Sequence, residues 1–273
     1  MSQINKKDLL MDLDLYLNRI GFDGPATVSL SCLFALQRSH MLNVPFENLD
    51  VYMGRSLKLD PADLFEKIVT SRRGGYCFEL NTLYGAALRE IGFDVTPILA
   101  RVWLRNPPQT PSLTHMLHKV NIDGQTYISD VGFGGLTTRI PLNISNPVPV
   151  DDQVGLIRLL PCDYGQMVQR QTPDGWENQF SFTGEPAVLS DILQGNHFTE
   201  THPSSHFRHN RFIGLFTEQG RNGLSDLNFT SRAGDELTEK TLSDADEWTA
   251  FIKQEFGLVL DLTEREKGSL LDF

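Results

Sequence analysis

The 273-residue sequence has only three cysteines, Cys32, Cys77 and Cys162, and they lie far apart. An odd number of distant cysteines argues against a disulfide framework and favours free thiols in a reducing cytoplasm. No apolar run approaches the roughly 20 residues that cross a bilayer, and the start of the chain lacks the apolar stretch and cleavage site of an export signal. We therefore expect a soluble cytoplasmic protein without membrane contact.

Basic residues are in the minority, with 24 Lys and Arg against 35 Asp and Glu and a formal net charge of -11. This charge argues against binding to a phosphate backbone, so nucleic acid is not an expected partner. An anionic ligand would need a local patch of basic side chains or backbone amides. The length allows one large domain or two to three small ones.

Two suggestive segments lack the residues that would complete a nucleotide or metal site. "DVGFGG" follows a β-forming run but has neither the Lys nor the Ser or Thr of a phosphate-binding loop. His202, His206 and His209 have a metal-like spacing, yet Pro203 would disrupt a helical ligand face and no second cluster of ligands is evident. We predict that no metal is bound.

Helical spacing dominates the first third of the chain. Apolar residues recur every three or four positions in 9–20 and again in 30–36. Asp60 followed by Pro61 is typical of a helix start, and a further apolar stripe over 77–92 ends at a glycine. The pattern predicts a helical bundle in which Cys77 stands at the start of a helix.

β-forming residues dominate from Asp94 onward. The turn signals between them are Asn106-Pro107-Pro108, Asp123-Gly124, Pro173-Asp174-Gly175 and Asn222-Gly223. Near the end, Ser243 is a predicted helix cap and an apolar stripe over 248–256 predicts a helix that covers the sheet. Helices followed by strands and a mixed tail indicate an α+β fold, because a parallel sheet would alternate the two.

Cys77 has two interpretations. A helix N-terminus stabilises a thiolate, and Gly74 and Gly75 just before it let the backbone approach closely. Free cysteine is also among the most often buried residues, and by itself this simple packing role is favoured. A catalytic role therefore requires a base nearby.

The Asp123-Gly124 hairpin supplies such a base. If these two residues form the turn, Ile122 pairs with Gln125, and His115 and Asp130 fall on the same face of the sheet, on a diagonal of roughly 7–8 Å. His118 then points to the opposite face. Cys77, His115 and Asp130 thus form a nucleophile, base and orienter set, in the chain order of papain-like enzymes but without their cysteine signature.

Five motifs resemble the arylamine N-acetyltransferase family. In order they are "VPFENLD", "RRGGYCFELN", "THMLHKV", "SDVGFGG" and "THPSSHF". The resemblance spans about residues 5 to 215 and is strongest from Val44 to Gly135. It implies an N-terminal helical bundle (1–93), a central antiparallel β-barrel (94–200) and a C-terminal α/β lid (201–273).

The resemblance also implies an activity and a site. The activity is acetyl transfer from acetyl-CoA to aromatic amines or hydrazines, with a catalytic triad of Cys77, His115 and Asp130. The other implied contacts are Gly132, Gly134 and Ser204 for CoA, and Phe46, Phe133 and Phe207 for the aromatic acceptor. His118 departs from the family, where an apolar residue is usual.

Three alternatives stay open at this point. The same triad suits a thiol hydrolase or a transglutaminase-like enzyme, and an amide synthase that closes macrocyclic antibiotics shares the family fold. A binding module with an inert Cys77 is the non-enzymatic alternative. The sequence leaves the physiological acceptor, the acyl-CoA chain length and the oligomeric state undetermined.

Overall fold

The computed structural model describes residues 11–135, 138–234 and 236–273, and within them the chain has the predicted α+β fold. The α-helices of these residues are α1 (Leu13–Arg19), α2 (Leu30–Asn43), α3 (Leu49–Tyr52), α4 (Pro61–Phe65), α5 (Cys77–Ile91), α6 (Leu189–Thr201), α7 (Ala245–Phe256) and α8 (Glu264–Leu270). A π-helical turn, Glu66–Thr70, extends α4. Leu9 and Leu10 of the first predicted stripe lie outside the described residues.

The helix ends follow from local chemistry. The Asp60 carboxylate accepts the Ala62 amide hydrogen at 2.9 Å, and Pro61 takes the first helical position, where no donor is needed. Helix α5 begins at Cys77 and stops at Gly92, whose φ of 106° is a left-handed conformation that glycine adopts freely. These predictions from the sequence are confirmed.

The strands are β1 (Phe46–Glu47), β2 (Asp94–Val102), β3 (Leu113–Ile122), β4 (Gln125–Ser129), β5 (Leu142–Asn143), β6 (Val150–Asp151), β7 (Leu156–Cys162), β8 (Gly165–Thr172), β9 (Gly175–Phe182), β10 (Phe212–Phe216), β11 (Gly220–Ser225), β12 (Asn228–Ala233) and β13 (Glu236–Thr241). Eight form an antiparallel sheet in the order β5-β4-β3-β2-β9-β8-β7-β6. This sheet curls into a half-barrel at the place of the predicted central barrel. Helix α5 packs across β2 and β3 and so brings Cys77 to the sheet.

The other sheet has the order β1-β10-β11-β12-β13. Its edge strand β1 comes from the N-terminal third, where Phe46 pairs with Gly214 of β10. Helix α7 covers this sheet through buried Trp248, Ile252 and Phe256, as its stripe predicts. Its cap is Asp244, which accepts two amide hydrogens of the first turn, so the predicted cap Ser243 is one residue too early.

The predicted turn at Asn222-Gly223 is wrong, because both residues lie inside β11. The chain turns instead after Ser225, where Asp226 has a φ of 51°. Gly223 faces Gly214 on β10, and a side chain on either glycine would collide with the guanidinium of Arg221. Glycine is needed here to make room for an arginine and not to turn the chain.

Helix α6 was not predicted, and it crosses the proposed boundary between 94–200 and 201–273. Together with the pairing of β1 and β10, it ties the three proposed regions to one another. The division at 93 and 200 stays a prediction. In the residues that the structure describes, no helix is both long and apolar enough to cross a membrane.

Candidate active site

Cys77 is the first residue of α5 and is 5% exposed. The Glu79 carboxylate fixes this helix start by accepting the Tyr76 amide hydrogen at 3.0 Å. The Cys77 Sγ lies 3.7 Å from the Thr114 carbonyl oxygen on β3. A Cβ on Gly132 would come within 2.8 Å of the Cys77 Cα, so only glycine allows the 130–135 loop to approach the thiol this closely.

The β3–β4 hairpin has the predicted register. Ile122 pairs with Gln125, and both turn residues have positive φ, 51° at Asp123 and 74° at Gly124, as a two-residue type I′ turn requires. His115 and Asp130 fall on one face, where the His115 Nε2 lies 2.7 Å from the Asp130 Oδ2. The predicted meeting of imidazole and carboxylate is confirmed.

This pair is fully buried and carries charge. Burial lowers the pKa of His115, but the Asp130 carboxylate and hydrogen bonds to Asp130 and Cys77 raise it to about 10. Burial also opposes ionisation of Asp130, yet His115, Asn81 and the Gly132 amide hold its pKa below the usual value. With Nε2 engaged by Asp130, Nδ1 is the ring nitrogen that remains available for Cys77. At neutral pH the site therefore holds an imidazolium beside the Cys77 sulfur.

Asn81 was not predicted as part of the site. It lies one helical turn after Cys77, and its amide nitrogen donates to the Asp130 Oδ1 at 2.9 Å and to the Met116 carbonyl at 2.6 Å. Its amide oxygen accepts the Val131 amide hydrogen at 3.1 Å. The i, i+4 spacing from Cys77 was the available signal, because such residues share one helix face.

Gln37 of α2 was also missed. Its Oε1 accepts from the Ser129 hydroxyl at 2.7 Å and from the Asp130 amide at 3.3 Å. Its Nε2 donates to the Thr138 carbonyl at 3.3 Å. Gln37 is fully buried and so holds the backbone at both ends of the loop that carries Asp130. No local sequence pattern identifies it, because its partners lie about a hundred residues away.

His118 points away from this pair, as the register predicts. Its Nε2 donates to the Asn81 carbonyl oxygen at 2.6 Å, while its buried Nδ1 has no hydrogen-bond partner in the described residues. Burial lowers its pKa to about 4. Gly85 on α5 makes room for the ring, since a side chain there would collide with it. His118 is thus a neutral histidine packed between helix and sheet.

The three phenylalanines predicted for the acceptor lie in two groups. The Phe133 ring stands edge-on to His115, with 5.1 Å between ring centroids. Phe46 and Phe207 contact each other at 6.0 Å, and Phe207 also contacts Tyr76 beside the thiol. Phe46 and Phe133 line one small cavity together. Phe133 therefore lies against His115, and Phe207 lies against Tyr76, the residue before Cys77.

The three predicted CoA contacts differ in their surroundings. The Gly132 amide already donates to the Asp130 Oδ1 at 2.8 Å. Gly134 has a φ of 76° and lies against the Phe46 ring, so it too must be glycine. Ser204 is exposed, and its hydroxyl lies 2.7 Å from the His202 Nδ1. In the part of the chain that the structure describes, no three His, Cys, Asp or Glu residues form a group that could hold a metal ion.

Comparison with known proteins gives matches over most of the chain. A family model described as N-acetyltransferase matches residues 29–265. The arylamine N-acetyltransferase of Escherichia coli (strain K12) is 36% identical over 91% of this chain and 89% of its own length. The structure resembles that of an arylamine N-acetyltransferase from Salmonella typhimurium, with a TM-score of 0.90, 33% identity and coverage of 94% of this chain and 97% of the other.

A relative with bound ligand is similarly close. The structure of the Mycobacterium marinum arylamine N-acetyltransferase in complex with CoA matches with a TM-score of 0.90 and 32% identity, covering 95% of this chain and 97% of the other.

Proposed function

Because this chain belongs to the arylamine N-acetyltransferase family, we propose that it transfers the acetyl group of acetyl-CoA to the nitrogen of arylamines by way of Cys77. The observation that carries the proposal is a thiol at a helix N-terminus, beside a histidine whose pKa a buried aspartate raises. Nucleophile, base and orienter are thereby provided in one place.

The first half-reaction forms an acetyl-enzyme. His115 holds the proton taken from Cys77, and the thiolate attacks the acetyl carbonyl carbon. As the bond from that carbon to the CoA sulfur breaks, CoA leaves as a thiol that carries the proton from His115. Asp130 keeps the imidazole oriented through its 2.7 Å contact, and Asn81 holds Asp130 at 2.9 Å.

The second half-reaction returns the enzyme to its starting state. A neutral aromatic amine attacks the acetyl-Cys77 carbonyl, and His115 takes the proton that the nitrogen loses. The sulfur leaves as a thiolate beside the newly formed imidazolium. Because CoA departs before the amine reacts, the kinetics are ping-pong.

The remaining assignments belong to the same proposal. Gly132, Gly134 and Ser204 contact CoA, and the aromatic faces of Phe46, Phe133 and Phe207 hold the acceptor, with hydrazines accepted as well as amines. A cytoplasmic location is supported by the three unpaired cysteines. The regions 1–93, 94–200 and 201–273 act as bundle, barrel and lid.

Intact-mass spectrometry tests the central step. Incubation with acetyl-CoA and no acceptor should add one acetyl group, and peptide mapping should find it on Cys77. The Cys77→Ser variant should keep the fold and fail to turn over a neutral arylamine. An acetyl group on Cys32 or Cys162, or intersecting double-reciprocal lines in place of parallel ones, would overturn the proposal.

A further inference from the structure

Arg221, near the start of β11, has a role that the reaction above does not explain. Its guanidinium folds back over Gly214 and Gly223, which face each other on β10 and β11. Gly214 also pairs with Phe46, and Phe46 and Arg221 line one cavity. Two glycines in neighbouring strands are needed to create this position. The missing side chains of Gly214 and Gly223 thus leave space on the sheet for one guanidinium group.

The guanidinium of Arg221 is poorly satisfied. Arginine has five N–H donors, and the Gly134 carbonyl is the one acceptor that Arg221 has in the described residues. By contrast, Arg73 and Arg170 are paired with carboxylates. Arg221 keeps some exposed surface, but burial of its guanidinium lowers its pKa to about 10. Desolvated cations are normally paired, so the donors that have no acceptor in the described residues can receive an anion.

The donors line a cavity that belongs to the acceptor side of the site. Phe46, Phe133 and Phe216 form its apolar walls, and Gly134 closes it. The cavity has a volume of about 10 Å³, which is room for one water-sized polar group. One oxygen of a carboxylate, carried by an aromatic ring that lies in front of the cavity, matches this size, whereas a pyrophosphate does not.

We propose that Arg221 is a specificity residue that binds the carboxylate of an aromatic amine, so that aminobenzoate-type acceptors are preferred over neutral arylamines. The inference rests on the proposed acetyl transfer. The 130–135 loop supplies the geometry, since Gly132 abuts Cys77 and Gly134 accepts from Arg221. An amine at the thiol and an acid at the guanidinium can thus belong to one ring. With a net charge of -11, the protein would otherwise repel such acceptors.

Arg221→Gln is the variant that separates binding from support. Glutamine retains a donor for the Gly134 carbonyl but removes the charge. We compare 4-aminobenzoate with its uncharged methyl ester as acceptors. A hydrogen bond to a charged group implies a fall in kcat/KM for 4-aminobenzoate of about 10- to 100-fold, mostly in KM, and a change for the ester of less than about threefold. Arg221→Lys should restore part of the preference.

Arg232 provides the matched control. It is the cross-strand partner of Arg221 on β12 and is not among the residues that line the cavity. Arg232→Gln should leave kcat/KM unchanged for both acceptors. Thermal unfolding adds a second measurement: loss of an unpaired desolvated cation should leave Tm equal or higher in Arg221→Gln, whereas loss of a structural arginine would lower it.

Three outcomes would overturn the inference. Equal losses for acid and ester would make Arg221 a support of the loop. Slower acetylation of Cys77 by acetyl-CoA without acceptor would assign the guanidinium to a CoA phosphate. An unchanged ratio of the two acceptors would remove any role in specificity. In each case the wild-type enzyme still acetylates Cys77 and still turns over the ester. Failure of this inference is therefore distinguishable from failure of the proposed function.

Discussion

The two faces of strand β3 each carry one buried histidine, and at neutral pH one side chain is cationic and the other is neutral. His115 and His118 are 2% and 0% exposed, but the pKa of His115 is raised to about 10 and that of His118 is lowered to about 4. The difference comes from their neighbours: His115 meets an ionised carboxylate, whereas His118 meets a neutral carbonyl. The partner, and not the degree of burial, decides whether a buried histidine holds a second proton at neutral pH.

The same substitution on both faces should give the largest contrast. His115→Asn removes the proton acceptor of Cys77 and should lower the rate of Cys77 acetylation by about 10³-fold or more. His118→Asn keeps a donor for the Asn81 carbonyl and should change that rate by less than about threefold. Single-turnover acetylation measures both, and circular dichroism checks that both variants are folded. A comparable loss in His118→Asn would contradict the assignment of roles to the two faces.

Acid stability should show an effect of about 10²-fold in the folding equilibrium. The pKa of His118 is about 4 in the folded protein and about 6.5 when unfolded, so the unfolded chain binds the proton first. Stability therefore falls as pH drops from 6.5 towards 4, by about 2–3 kcal/mol for this group. His118→Leu should lack this loss.

Urea unfolding measures the free energy of unfolding at pH 7 and at pH 4.5. The fall between the two pH values is then compared between wild type and His118→Leu. Burial also lowers the pKa of His40 to about 3, so its protonation destabilises the folded state over the same pH range. This contribution is the same in both proteins and cancels in the comparison. An equal fall in stability for wild type and His118→Leu would mean that His118 is not held neutral by the fold.

Asn81 should give a smaller effect, because it acts on Asp130 and not on the thiol. Loss of its 2.9 Å hydrogen bond in Asn81→Ala loosens Asp130, and iodoacetamide labelling of Cys77 at pH 7 should slow by about tenfold. In wild type His115 stays protonated from pH 6 to 9, so the contribution of the imidazolium to the labelling rate should be flat over that range. In the variant the pKa of His115 should fall and labelling should rise with pH.

The pH profile distinguishes positioning from simple loss of packing. Thr82→Val, at the next residue of α5, should leave both the rate and the flat profile unchanged. A flat profile in Asn81→Ala together with a slower rate would indicate that Asn81 only supports the fold.

The sequence predicted the parts of the site that short-range geometry determines. The Asp123-Gly124 turn fixes a register, and that register alone brings His115 to Asp130 and turns His118 away. The cap at Asp60 and the stop at Gly92 are local in the same sense. These features depend on a few adjacent residues and on backbone conformations that only certain residue types favour.

Other parts depend on contacts between distant elements. Gln37 joins α2 to the loop after β4, which no pattern within α2 reveals. Asn222-Gly223 has the composition of a turn, yet the space that Arg221 requires keeps it in a strand. Phe46 and Phe133 were assigned to the acceptor by family resemblance, and their common cavity became visible only with the fold.

Strand β1 pairs with a strand that is synthesised much later in the chain. Phe46 bridges to Gly75 on one side and pairs with Gly214 on the other. Chains leave the ribosome N-terminus first, so Cys77, His115 and Asp130 emerge before β10 exists. Until residues 212–216 have been made, Phe46 and Glu47 therefore have no partner strand on that side.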